Sequence, residues 1–79
     1  MTKAQQKEKA IQTMESRINN IKLSQDAAAV EYNDSVFFGM MLLCYRLQII
    51  TKEEKLTLEN AEIDAYYSRK KEIEAMTAA

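Results

Sequence analysis

The 79-residue chain contains no histidine, no proline and no tryptophan, and it has one glycine and one cysteine. Each absence excludes something. Without His there is no imidazole to act as a general base near neutral pH or to bind zinc. Without Pro, and with Gly39 as the only glycine, the turns of a sheet protein would lack the residues that build them. Cys44 has no partner in the chain, so no internal disulfide can staple the fold. Inside an apolar run its thiol behaves as a small hydrophobe. The unpaired Cys and the lack of a secretory leader pattern point to a reducing cytoplasm. No Gly-rich phosphate loop or nucleophile elbow is present, and no cofactor, metal or catalytic residue is expected.

What the chain does hold is helix-forming: Ala, Glu, Lys, Gln, Met and Leu dominate. The expected class is all-α, in a single domain over residues 1–79, because so short a chain supports one core. Helix 1 is expected at about 2–23, with Thr2 as N-cap and a stripe of Ile11, Met14, Ile18 and Ile21. Helix 2 is expected at about 26–48. Ser24 or Asp26 could restart the chain there, but nothing forces a break. One helix from about residue 3 to 48, roughly 70 Å long, competes evenly with two consecutive helices that bend near Ser24–Asp26. Asn33–Asp34–Ser35 is a third place of weakness. Helix 3 is expected at about 52–76. Thr51-Lys52-Glu53-Glu54 matches the capping box, with Glu53 and Glu54 where the helix dipole favours anions. A short connection at 48–50 makes helix 3 antiparallel to helix 2. Its apolar stripe reads Leu56, Ile63, Tyr66 or Tyr67, and Ile73, with Leu58, Ala61 and Ala65 beside it. The overall expectation is a helical hairpin with a long N-terminal helical region.

The stretch VFFGMMLLCY, Val36 to Tyr45, runs ten residues without a charge or an amide. It is too short to cross a membrane, which needs about 20 apolar residues, and Arg46 and Gln48 interrupt it. No membrane association is expected. A helix apolar on every side must be covered on every side. Helices 1 and 3 leave one side over, so a homodimer forming a helical bundle is expected. The residues assigned to the interface between copies are Val36, Phe37, Gly39, Met40, Met41, Leu43, Cys44 and Leu47. Gly39 costs a helix about 1 kcal/mol relative to Ala. Ser35 and Gly39 form a small-x-x-x-small pair, which admits a second backbone closely. Relief of a local clash among Phe37, Phe38 and Met41 is the competing explanation.

The formal charge is −1, too small to steer the whole molecule toward nucleic acid or anionic lipid. The first 24 residues nevertheless carry a net +3, against −2 in each of the segments 25–50 and 51–79. Lys3, Lys7, Lys9 and Arg17 are the candidates for contact with a protein partner or with phosphates. Glu59 and Glu62 make an E-x-x-E step, as Glu31 and Asp34 make an E-x-x-D. The first resembles half of the magnesium-binding pattern of helical MazG-like nucleotide pyrophosphatases, whose later E-x-x-D does not occur here in the order required. In size, lack of enzymatic residues and hairpin start, the chain resembles in general style the short helical accessory proteins of bacteriophages and other mobile elements. That resemblance rests on no specific motif and carries no residue roles. It implies a regulator acting on a host protein in the host cytoplasm.

The function expected is therefore a non-enzymatic, dimeric protein–protein interaction module, a small regulator or inhibitor with an unidentified protein partner. A nucleic-acid-associated regulator using the basic N-terminal helices is the first alternative. A metal-dependent nucleotide hydrolase using Glu59 and Glu62 is the second.

Overall fold

The computed structural model describes residues 1–78. It contains three helices and, among the described residues, no strand: α1 (Lys3–Leu23), α2 (Ala27–Arg46) and α3 (Lys52–Ala78). Each helix packs on the other two. The result is a narrow bundle measuring 50 × 20 × 15 Å. No helix is long and apolar enough to cross a membrane.

Local side chains start every helix. Thr2 Oγ1 accepts from the Gln5 N–H at 3.1 Å, and Gln5 Oε1 accepts from the Thr2 N–H at 2.9 Å. Thr51 and Glu54 repeat the box, at 3.1 Å and 2.7 Å. Asp26 caps α2 by accepting from the Ala29 N–H at 2.8 Å. Each cap satisfies N–H groups that the first helical turn leaves unpaired.

The even choice at residues 24–26 falls to a break. The chain does not continue as one rod, nor as two helices in line. Ser24, itself buried, leaves helical for extended geometry and donates its hydroxyl to the Asn20 carbonyl at 2.7 Å. Asp26 then restarts the helix, and α2 folds back along α1. Of the two forms expected for the N-terminal region, the structure has two consecutive helices with the bend at Ser24–Asp26; that bend is a reversal, so α1 and α2 form a hairpin and the whole is an up-down-up bundle in which α3 runs alongside α1. The reason is burial. Met14, Ile18 and Ile21 of α1 meet Val30, Phe37 and Met41 of α2 in one core, and a straight rod would leave both faces in water.

The α2–α3 connection also differs from expectation in detail. Helix α2 ends at Arg46, two residues early. The Gln48 N–H donates to the Tyr45 carbonyl (3.0 Å) and the Ile49 N–H to the Cys44 carbonyl (2.9 Å). This is a Schellman ending, and it puts Gln48 in the left-handed region at φ 59°. Gly or Asn is the usual occupant there.

The core-facing stripe of α3 is Leu58, Glu62, Ala65 and Ile73: Ile73 belongs to the expected stripe, Leu58 and Ala65 were expected beside it, and Glu62 was not expected. Leu56, Ile63 and Tyr67 lie on the outside. The α1–α2 groove takes the face bearing Leu58 and Ala65, and Glu62 goes in with it. Arg69 on the same side donates its Nε–H to the Ser24 carbonyl at 2.8 Å, tying α3 to the α1–α2 turn.

Candidate interaction surface

Helix α2 divides into two faces. Val30, Asn33, Phe37 and Met41 point inward and are buried. Asn33 is satisfied there: its Nδ2 donates to the Ala29 carbonyl at 2.9 Å, and its Oδ1 accepts from Arg17 Nη1 at 3.3 Å. The outward face carries Tyr32, Ser35, Val36, Gly39, Leu43 and Arg46. Their spacing of three and four residues keeps them within one narrow sector of the helix. All are exposed except Val36, which is half-buried. Leu43 is 58% exposed, and Leu47, just past the helix end, 60%. Leu43 thus stands open on the same face as half-buried Val36, with Leu47 following it along the chain.

Gly39 lies in the middle of this face. A Cβ built there would meet nothing within 4 Å. Clash relief against Phe37 and Met41 therefore does not account for the glycine, and no helix of the same chain crosses there. The cost of Gly in a helix has no return within the monomer.

The eight residues assigned to an interface by sequence divide accordingly. Val36, Gly39, Leu43 and Leu47 look outward, and Met40 lies half-buried at the margin. Phe37 and Met41 need correcting: both are fully buried in the chain's own core and present nothing to a second molecule. Cys44 packs half-buried against that core. Its burial raises the thiol above its usual range, away from the reactive thiolate. Sequence reasoning set Phe37 and Met41 beside Leu43 and Leu47 in one interface, although the fold spends the side bearing Phe37 and Met41 on the core. It also missed Tyr32 and Arg46, which continue the outward spacing beyond the apolar run at both ends.

The basic candidates do not form one patch. Arg17 is drawn into the α1–α2 seam by Asn33. Lys7 pairs with Glu54 at 3.1 Å, joining α1 to α3, and the Thr51 N–H first, then the Lys7 ammonium, hold the Glu54 carboxyl below its usual range. Lys3 and Lys7 border a shallow depression with Leu47 and Gln48, whereas Lys9 sits on another side of α1, beside Glu8 and Gln12.

The carboxylates are likewise separated. Glu59 is held by Lys55 at 2.8 Å, while Glu62, one turn on, is 1% exposed. Glu62 Oε2 has no hydrogen-bond partner. Burial, then the adjacent Asp34 carboxylate and the more distant Glu31, push the Glu62 carboxyl up to about 8. Glu31 itself accepts from Tyr66 Oη and from Lys70 Nζ (3.0 Å), which hold it below the usual carboxylate range. Among the described residues no three His, Cys, Asp or Glu side chains converge as metal ligands do.

No protein-family model matches the chain, and neither a curated protein nor a solved structure is significantly similar to it.

Proposed function

We propose that this chain is a non-enzymatic protein–protein interaction module that self-associates through the outer face of α2, in the manner of small helical regulators. The observation that carries this reading is the open apolar face around Gly39. A glycine in mid-helix, with empty space above it and exposed Leu43 beside it, has a use when a second backbone lies close. The charged outer sides of α1 and α3 then remain for another protein, and a bacteriophage accessory protein modulating a host protein is one such role. Phosphate binding by Lys3, Lys7, Lys9 and Arg17 has less behind it, since two of the four are engaged within the chain.

The test is solution mass by light scattering across a range of concentrations, for the wild type and for Gly39→Leu. The expected result is a wild-type dimer and a monomeric variant. Because a Cβ at position 39 meets nothing within 4 Å and the position is exposed, the variant is expected to fold, its monomer gaining up to about 1 kcal/mol of helix stability. A wild type that stays monomeric at every concentration would overturn the reading.

A further inference from the structure

We propose that the second copy lies antiparallel on α2, with the two helices crossing at Gly39, so that each Tyr32 stacks on the partner's Arg46 and each Ser35 receives the partner's Leu43. This inference deepens the self-association proposed above and rests on it. It adds the orientation, the register and the residues that recognise one another.

The register follows from spacing. When two identical helices cross antiparallel at one residue, positions equally far on either side of it face each other. Tyr32 and Arg46 each lie seven residues from Gly39, and Ser35 and Leu43 each lie four. Seven residues are about two helical turns and four are about one, so all five positions share the outward face. Every pairing is then complementary. Glycine meets glycine at the point of closest approach, and a small serine leaves room for a leucine. The Tyr32 ring, 63% exposed, offers its face to a guanidinium.

Charge selects the same orientation. Among the residues of the outward face Arg46 is the one charged side chain; the acids of the N-terminal half are engaged within the chain, Asp26 as the helix cap, Glu31 by Tyr66 and Lys70, and Asp34 beside Glu62. Arg46 takes part in no salt bridge among the described residues. A parallel pair would set Arg46 against its own copy and Leu43 against Leu43, with the helix dipoles aligned. An antiparallel pair sets each Arg46 against the partner's Tyr32 ring instead of against its own copy, and opposes the helix dipoles. The occupant that fits both the spacing and the charge is therefore a second copy of this chain.

The experiment uses the full chain with Cys44→Ser, to remove the native thiol. Ser35→Cys and Leu43→Cys are made singly, and each is treated with a short bifunctional thiol crosslinker, alone and as a mixture. The expected result is a covalent dimer from the mixture and little from either variant alone. Arg46→Glu is expected to weaken the dimer by about tenfold or more, and Tyr32→Phe to leave it intact. Crosslinking of Ser35→Cys to itself and of Leu43→Cys to itself would mean parallel helices. That result would overturn this inference while leaving the dimer through α2 standing. A dimer that crosslinks in no combination and survives Gly39→Leu would mean that the copies meet elsewhere, overturning both. A monomer at all concentrations would also overturn both.

Discussion

At the scale of single residues, Glu62 is the position where the chain departs most from a comfortable core. A carboxylate buried among apolar side chains costs several kcal/mol unless it is paired, and its neighbours on α2 are acids. The proton relieves this. Folded, Glu62 titrates near 8; unfolded, it returns to about 4.5. Between those values the folded state holds a proton that the unfolded state has released. Stability is therefore greatest below about pH 4.5 as far as this group is concerned, and it falls as pH rises toward 8, by up to about 1.4 kcal/mol per pH unit. Glu31 acts in the opposite sense. Its lowered carboxyl stabilises the fold at higher pH and ceases to do so under acid conditions. Urea unfolding of the wild type between pH 5 and pH 8 is expected to show declining stability. Glu62→Gln keeps the shape, loses the titration, and should flatten the profile and be the more stable protein at pH 8. A wild-type profile that is already flat over that range would mean that Glu62 ionises normally in the fold.

At the scale of elements, the three helix starts are secured by short local motifs, and these were the most legible features of the sequence. Thr51 and Glu54 occur in the right order at the right spacing, and the cap they form depends on nothing distant. Thr51→Ala is accordingly expected to lower stability by about 1 kcal/mol in thermal or urea unfolding. The C-terminal end of α2 was less legible, because its Schellman turn uses Gln48 where Gly would have announced it. A non-glycine residue in left-handed geometry carries a penalty of roughly 1–2 kcal/mol. Gln48→Gly should raise the unfolding midpoint, with a gain of about 1 kcal/mol; a loss would show that the Gln48 side chain contributes more than its backbone costs. The inward face of α3 was legible only in part. Reading apolar residues finds Ile73, with Leu58 and Ala65 to one side, but it centres the stripe on Leu56 and Ile63, which lie outside, and passes over Glu62, which lies within. With so few large apolar residues on α3, the groove between α1 and α2 decides which face is buried, and that groove is a tertiary property. The same limit blurred the candidate surface. The run from Val36 to Tyr45 reads alike on all sides, so Phe37 and Met41 could not be told from Leu43 until α1 was in place.

At the scale of the whole molecule, burial and exposure along α2 predict opposite outcomes for neighbouring substitutions. Phe37→Ala removes a fully buried ring and should cost about 3–5 kcal/mol, enough to unfold much of so small a domain. Leu43→Ser changes a side chain that is 58% exposed and should leave unfolding of the dilute protein within about 0.5 kcal/mol of wild type. Circular dichroism melts of the two variants at low concentration check both statements. Should Leu43→Ser melt as early as Phe37→Ala, the outer face would be part of the monomer's own stability.

The bond from Arg69 to the Ser24 carbonyl has a consequence for how the chain is made. It joins groups 45 residues apart, whereas the turns and caps close over three to five. During synthesis α1 and α2 can pair as soon as both have emerged, since near neighbours pay little closure entropy. Through that interval Val30, Phe37 and Met41 have only α1 to cover them, and the Ser24 carbonyl has no partner from α3. At about 5–20 residues per second, the delay until Arg69 follows amounts to a few seconds. For that time the nascent hairpin presents both a half-finished core and the open outer face of α2, and encounters between neighbouring chains on one message are then at their most consequential.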